Sequence, residues 1–168
     1  MALQCARRSL PFAVGVGFAV ILCSIVCPAQ FSGPSVPASS ALSIPETQLI
    51  QAGELNRMLQ SGGAAKPLVL QVGSRVMFAQ AHIPGAQYAG PGSQPAGLES
   101  VAAKVAALPK DAFIVLYCGC CPWNRCPNVA PAFDHLRQLG FVHVKVLYIA
   151  NNFGDDWVNK GYSIEKGL

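Results

Sequence analysis

Apolar positions between residues 52 and 160 recur with two different periods, which predict a chain of alternating helices and strands. Helical spacing predicts four helices, over residues 52–59, 98–108, 128–139 and 155–160. Strands are predicted for the segments 68–72, 86–88, 113–117 and 142–148. The sequences LVLQV at 68–72 and FIVLY at 113–117 are apolar enough for strands that are buried on both faces.

The helix predicted for residues 128–139 has clear end signals. Asn128 is a suitable N-cap, Pro131 is tolerated in the first turn, and Gly140 is a common helix stop. Strands that alternate with helices over short connections are typical of an α/β fold with a parallel sheet covered on both faces. Sites in such folds form at the carboxyl ends of the strands. The segment that follows FIVLY is therefore the first candidate for a site.

The first 29 residues have the pattern of a secretion signal. Arg7 and Arg8 precede the apolar segment 10–27, and the small residues Cys27 and Ala29 occupy positions −3 and −1 of a possible cleavage site. We therefore expect residues 1–29 to be a signal peptide and the protein to be exported, either periplasmic or secreted. The alternative is an uncleaved membrane anchor at residues 10–27, the only membrane contact expected. Residues 30–41, rich in Ser and Pro, are predicted to be a flexible linker before a domain at 42–168.

The charge of the chain gives no indication of a nucleic-acid partner. The net charge is +4, and loss of Arg7 and Arg8 with the signal leaves 10 basic against 8 acidic residues, a net charge of +2. No basic stripe with interleaved aromatic residues remains, so nucleic-acid binding is not expected.

The cysteines are unevenly distributed. Three of the seven lie in the export segment, and the other four, Cys118, Cys120, Cys121 and Cys126, fall within nine positions. A disulfide framework spreads its cysteines so that they join distant segments, whereas this cluster could join only one loop. The cluster therefore indicates a site and not a scaffold.

The loop from Tyr117 to Asn128 has features that activate a thiol. It leads from a predicted buried strand to a predicted helix N-terminus, where N–H groups and the helix dipole favour a thiolate. Arg125 is expected to add a fixed positive charge near the sulfur. Successive N–H groups of the loop can also cradle an anion, and Gly119, Trp123 and Asn124 are the residues expected to form this cradle.

Several sequence elements resemble the rhodanese, or sulfurtransferase, domain family. They are Tyr117-Cys118 at a strand end, Gly140-Phe141 after a helix, the turn His82-Ile83-Pro84-Gly85-Ala86, and Trp157 with Gly161-Tyr162. The resemblance covers residues 44–167 and implies a five-stranded parallel sheet flanked by helices. It also implies sulfur transfer through a persulfide on Cys118, which ends the central strand. The partners would be a small sulfur donor and a thiol or other nucleophilic acceptor, and no cofactor is expected.

The sequence departs from this family pattern at three places. Gln71-Val72-Gly73 stands where the family usually has Asp-x-Arg, and Asn151-Asn152 stands where it has Gly-Gly. The loop after Cys118 is enlarged and holds three additional cysteines. A phosphatase of the Cys-x5-Arg type is not expected, because six residues separate Cys118 from Arg125 and four separate Cys120 from it.

The additional cysteines leave other functions open. Cys120, Cys121 and Cys126 are candidate redox or resolving thiols that would release the product by forming a disulfide, which implies a thiol reductant as partner. Alternatively, Cys118 and these three could together ligate a Zn, Cu or Fe–S cofactor. A further alternative is a catalytically silent interaction module.

Overall fold

The computed structural model describes residues 44–61 and 66–168. The strands are β1 (Leu49–Ile50), β2 (Leu68–Gln71), β3 (Gln87–Tyr88), β4 (Ile114–Tyr117) and β5 (Val144–Leu147). The helices are α1 (Ala52–Gln60), α2 (Arg75–Gln80), α3 (Pro95–Val105), α4 (Val129–Gln138) and α5 (Phe153–Asp156). Turns of 3₁₀ helix cover Glu46–Gln48, Trp123–Arg125 and Val158–Lys160.

The strands form one parallel sheet in the order β1-β5-β4-β2-β3. β4 is the central strand, and each residue of its IVLY sequence is buried, as expected for a strand covered on both faces. The predicted α/β fold with a five-stranded parallel sheet flanked by helices is confirmed.

Successive side chains of β4 pack on opposite faces of the sheet. Ile114 and Leu116 belong to the apolar layer that includes residues of α3 and α4, while Val115 and Tyr117 belong to the layer with residues of α1 and α5. Full burial of such an aliphatic side chain stabilises the fold by about 1.5–3 kcal/mol. These two layers fix the end of β4, from which the cysteine loop begins.

The structure differs from the sequence prediction in a few elements. β1 and α2 are not predicted, because β1 has only two residues and α2 buries only Phe78 on one face. The single helix predicted over 155–160 is wrong, since α5 ends at Asp156 and Val158–Lys160 forms a separate 3₁₀ turn. Asn152 is the N-cap of α5, since its side chain accepts a hydrogen bond from the N–H of Asp155.

The predicted signal peptide or anchor at 1–29, the linker at 30–41 and the domain start at 42 lie outside the described residues. Among the helices that the structure describes, none combines the length and apolar character that a bilayer crossing requires.

Candidate active site in the cysteine loop

The parallel register of β2 and β4 places two backbone segments side by side at the carboxyl edge of the sheet. Gln71 pairs with Tyr117, and the N–H of Val72 donates to the Tyr117 carbonyl at 2.8 Å. Gly73 and Cys118 therefore lie next to each other, and a Cβ at position 73 would come within 2.8 Å of the Cys118 Sγ. The absence of a side chain at Gly73 leaves the space that this sulfur occupies.

Gln71 holds the two segments together. This side chain is only 2% exposed, its Nε2 donates to the Cys118 carbonyl at 3.2 Å, and its Oε1 accepts from the Gly73 N–H at 3.2 Å. In the sequence, Gln71 stands out only as a departure from Asp-x-Arg. The structure shows a neutral amide that positions the cysteine backbone through hydrogen bonds.

Gly119 reverses the chain directly after Cys118. Its φ of +75° lies in the left-handed region that favours glycine, and a Cβ there would lie 2.8 Å from the Cβ of Phe153. Its carbonyl accepts a hydrogen bond from the N–H of Phe153 at 3.0 Å. This turn brings the Cys120 Sγ back to 2.9 Å from the Cys118 Sγ.

Trp123 anchors the middle of the loop. Its N–H donates to the Ala150 carbonyl at 3.1 Å, and its ring packs against Tyr148 with centroids 5.3 Å apart. The N–H groups of Arg125 and Cys126 donate to carbonyls within the loop. These three N–H groups are therefore already hydrogen-bonded within the protein. The anion cradle assigned to Gly119, Trp123 and Asn124 stays a prediction.

Four thiols meet around the strand end. Besides the contact between Cys118 and Cys120, the Sγ atoms of Cys120 and Cys121 lie 3.2 Å apart, and Cys118 is hydrogen-bonded to Cys126. Cys118 and Cys126 are buried, whereas Cys120 and Cys121 are partly exposed, and all four are free thiols. The structure therefore brings together the four cysteines that the sequence singles out.

Asn128 contacts the sulfur cluster directly. Its Nδ2 donates to the Cys118 Sγ at 3.3 Å and lies 4.0 Å from the Cys120 Sγ. Its Oδ1 accepts from the Ser93 N–H at 3.2 Å and from the Ser93 hydroxyl at 2.8 Å. Asn128 occupies the N-cap position of α4, as predicted, but its side chain makes no capping hydrogen bond. Asn128 instead links the sulfurs to the segment before α3, which sequence spacing could not reveal.

The hydrogen bonds among the thiols shift their pKa values in opposite directions. The pKa of Cys118 is raised by its hydrogen bonds with Cys120 and Cys126 and by burial. The hydrogen bond from Cys118 lowers the pKa of Cys120 to about 6, against the opposing effect of burial, with further help from Cys121 and Asn128. Burial and the hydrogen bond with Cys120 raise the pKa of Cys121 to about 12.

The thiol at the helix N-terminus is Cys126 and not Cys118. The hydrogen bond from Cys118 lowers the pKa of Cys126 to about 7, and the backbone N–H groups of Asn128 and Val129, where α4 begins, contribute in the same direction. The sequence argument for a thiolate at this helix start therefore applies to Cys126. Cys118 is the neutral, buried partner of two more acidic thiols.

Arg125 and the metal alternative stay predictions. The Arg125 side chain is exposed, and this residue contacts the cysteines through its carbonyl, which the Cys121 thiol approaches at 3.7 Å. Within residues 44–61 and 66–168, no group of three or more His, Cys, Asp or Glu side chains is arranged to hold a metal ion.

A cavity of about 180 Å³ opens at the carboxyl ends of β2 and β4. Met77, Phe153 and Val158 supply apolar surface, and Gln71 and Cys118 line it at the strand ends. None of the residues that line this cavity is charged. It offers a site next to the loop for a small molecule with an apolar portion.

Solved structures with a similar fold come from bacterial proteins. The crystal structure of the Alr3790 protein from Anabaena sp. is 24% identical, with 71% of this chain and 93% of that chain covered and a TM-score of 0.55. The rhodanese-like domain of the same protein, solved by NMR, is 25% identical, with coverage of 72% and 80% and a TM-score of 0.53. The BH2092 protein from Bacillus halodurans is 24% identical, with coverage of 71% and 77% and a TM-score of 0.55.

The family profile gives the more specific result. No curated protein sequence matches this chain. The profile described as "Rhodanese-like domain" matches residues 51–149, which is more than half of the 168 residues and runs from the start of α1 through the cysteine loop to the end of β5. The chain therefore belongs to the rhodanese-like domain family.

Proposed function

We propose that this protein is a sulfurtransferase that carries a sulfane sulfur as a persulfide on Cys118. The observation that carries this proposal is the contact of the Cys118 Sγ, at the end of the central strand, with two thiols of lowered pKa. Cys118 is buried and keeps its proton, so it needs a base before it can attack. Cys120, whose Sγ lies 2.9 Å away, is that base.

The loading step can be written for thiosulfate. The Cys118 proton passes to the Cys120 thiolate while the Cys118 sulfur bonds to the sulfane sulfur. The S–S bond of thiosulfate breaks, and sulfite leaves with the electron pair. The products are a Cys118 persulfide anion, a neutral Cys120 thiol and sulfite, so the total charge is conserved. The Asn128 amide, 3.3 Å from the Cys118 Sγ, donates to the sulfur on which charge develops.

The transfer step returns the site to its starting state. A thiolate or other nucleophile bonds to the outer sulfur, the persulfide S–S bond breaks, and Cys118 regains its proton from Cys120. The uncharged cavity beside Gln71 and Met77 suits a donor or acceptor with an apolar portion. Arg125 is exposed at the loop, and we assign it to the recognition of anionic donors rather than to the activation of Cys118.

The cellular setting belongs to the same proposal. The basic and apolar segments at the N-terminus support export to the periplasm or the exterior, with membrane attachment only if residues 10–27 are retained. The proposal needs no metal or other cofactor. An oxidising compartment would oxidise clustered thiols, so a thiol reductant is the expected protein partner.

The test is the mass of the full chain, reduced and handled without oxygen, before and after incubation with thiosulfate. We expect a gain of one sulfur that cyanide removes, and no such gain at position 118 in Cys118→Ser. Metal content is measured on the same sample. No sulfur gain, together with a stoichiometric metal that only chelation or acid removes, would contradict the proposal in favour of the metal alternative.

A second comparison tests the role of Arg125. Arg125→Gln is compared with the unchanged chain on thiosulfate and on an uncharged organic trisulfide. We expect the KM for thiosulfate to rise and the KM for the trisulfide to stay close to its original value. An equal loss on both donors would contradict a role in recognising anions.

A further inference from the structure

We propose that Cys120 resolves the Cys118 persulfide within the loop, releasing hydrogen sulfide and leaving a Cys118–Cys120 disulfide. This inference rests on the proposed persulfide and gives the site a second product. The domain would then act as a sulfide-releasing reductase of sulfane sulfur as well as a carrier. Its required partner would be a dithiol reductant.

The turn at Gly119 carries this inference. With φ at +75°, the backbone reverses between two cysteines separated by one residue, and their Sγ atoms come to 2.9 Å. Phe153 fixes the turn, because its N–H binds the Gly119 carbonyl and its Cβ occupies the space that a side chain at position 119 would need. A thiol held this close to the inner sulfur of a persulfide reacts intramolecularly, which gives it a large advantage over thiols in solution.

The other thiols are less suited to this step. Cys126 is only 5% exposed, and its sulfur interacts with backbone N–H groups at the start of α4. Cys121 contacts the Cys120 Sγ at 3.2 Å and the Arg125 carbonyl at 3.7 Å, and its pKa is raised. Cys120 has both the contact with Cys118 and partial exposure to solvent.

Atoms and charges balance in the resolving step. After loading, Cys118 carries a persulfide anion and Cys120 holds the proton that it took from Cys118. The Cys120 sulfur bonds to the Cys118 sulfur, the bond between Cys118 and the outer sulfur breaks, and the outer sulfur leaves with the electron pair. The Cys120 proton goes to this leaving sulfur, so one hydrosulfide ion departs. The two cysteines are oxidised, and the sulfane sulfur is reduced to sulfide.

A dithiol completes the cycle. Cys118 is 3% exposed, so an external thiolate reaches the Cys120 sulfur of the disulfide more easily. Attack on that sulfur releases Cys118 as a thiolate and forms a mixed disulfide with Cys120. The second thiol of the reductant then frees Cys120 and leaves the reductant as a disulfide. Both electrons that produced sulfide thus come from the dithiol.

The experiment uses the full chain, reduced and free of excess thiol, with one equivalent of thiosulfate and no acceptor. We expect about one sulfide per loaded chain. The Lys110 and Arg125 cleavage sites separate the tryptic peptide 111–125, which holds Cys118, Cys120 and Cys121, from the peptide 126–137, which holds Cys126. A Cys118–Cys120 bond leaves peptide 111–125 single and lighter by two hydrogens, and its backbone still fragments between residues 120 and 121. A Cys118–Cys121 bond closes a ring across that position, and a bond to Cys126 joins the two peptides.

Two variants identify the resolving thiol. In Cys120→Ser, loaded with excess donor, the sulfur should remain on Cys118, and the rate of sulfide release should fall by more than about tenfold. Gly119→Ala should also slow the release of sulfide, because the added Cβ would displace the turn that places Cys120 next to Cys118. If Gly119→Ala does not fold, fragmentation of peptide 111–125 from the unchanged chain still distinguishes Cys120 from Cys121 as the partner of Cys118.

The outcomes separate the two proposals. No uptake of sulfur in any form would overturn the sulfurtransferase proposal itself. Uptake that is fully retained by the unchanged chain would overturn only the resolving step. Release that persists in Cys120→Ser would also overturn it, with joined peptides identifying Cys126, and a single oxidised peptide identifying Cys121, as the resolving thiol.

Discussion

Replacing Asn128 by Asp tests whether this amide helps to stabilise the anionic sulfurs. The change is nearly isosteric, so the oxygen that accepts from the Ser93 N–H and hydroxyl can stay in place. The Nδ2 donor, 3.3 Å from the Cys118 Sγ, is replaced by a carboxylate oxygen. The hydrogen bonds from Ser93 favour the ionised carboxylate, which then faces the thiolate of Cys120.

The magnitude follows from the distance. The Nδ2 atom lies 4.0 Å from the Cys120 Sγ. Two unit charges at this separation repel each other by about 4 kcal/mol at an effective dielectric constant of about 20. This energy corresponds to a rise of about 3 in the pKa. The pKa of Cys120, which is about 6 in the unchanged protein, should therefore move toward that of an ordinary thiol.

The assay is the pH dependence of alkylation of Cys120, followed by fragmentation of the tryptic peptide 111–125. The matched control is Asn124→Asp, which adds the same charge to the same loop at an exposed position where solvent screens it. We expect a large rise in the alkylation midpoint for Asn128→Asp and a small one for the control. A rise in the alkylation midpoint of less than about 0.5 pH unit for Asn128→Asp, or equal rises for both variants, would refute the reasoning.

Three further predictions concern the groups around Cys118. Because the Cys120 thiolate is the base, the rate of sulfur loading should be constant above pH 6–7 and fall roughly tenfold per pH unit below it, and a steady rise up to pH 10 would instead indicate unassisted Cys118. Gln71→Leu leaves a carbonyl and an N–H unpaired and should lower the free energy of unfolding by about 2–4 kcal/mol in urea denaturation, whereas Gln60→Leu at an exposed position should change it by less than about 0.5 kcal/mol. Gly73→Ala should reduce both the stability of the fold and the uptake of sulfur by Cys118, because the added Cβ would press on the Cys118 sulfur. A variant that takes up as much sulfur as the unchanged chain, measured by mass, would contradict this packing.

The fold could be predicted because its longer elements have clear periods. The apolar sequence FIVLY corresponds to β4, the buried central strand, and the stripe from Leu98 to Leu108 corresponds to α3, although α3 begins earlier, at Pro95. β1 could not be found, because two residues have no period and its place in the sheet depends on pairing with β5. Tertiary pairing, and not local preference, decides such short elements.

The site could be predicted only in part. The clustering of Cys118, Cys120, Cys121 and Cys126 and their position after β4 are visible in the sequence. Which sulfurs touch depends on the Gly119 turn, and Asn128 reads as a helix cap although its side chain contacts sulfur. Gln71 reaches the loop from another strand, a contact across 47 residues that a local pattern cannot contain.

The enlarged loop supplies neutral hydrogen-bond donors for a sulfur anion at this strand end. In the described residues, the hydrogen bonds to the Cys120 and Cys126 sulfurs come from the Cys118 and Cys121 thiols, the Asn128 amide and backbone N–H groups. Neutral donors of this kind already account for the lowered pKa values, and Gln71, a neutral residue, positions the backbone where the family usually has Asp-x-Arg. In the proposed reaction, Cys120 accepts the Cys118 proton when Cys118 attacks. The same contact places Cys120 where it can form a bond with Cys118, so in the two proposals together the thiol that activates Cys118 is also the thiol that releases its sulfur.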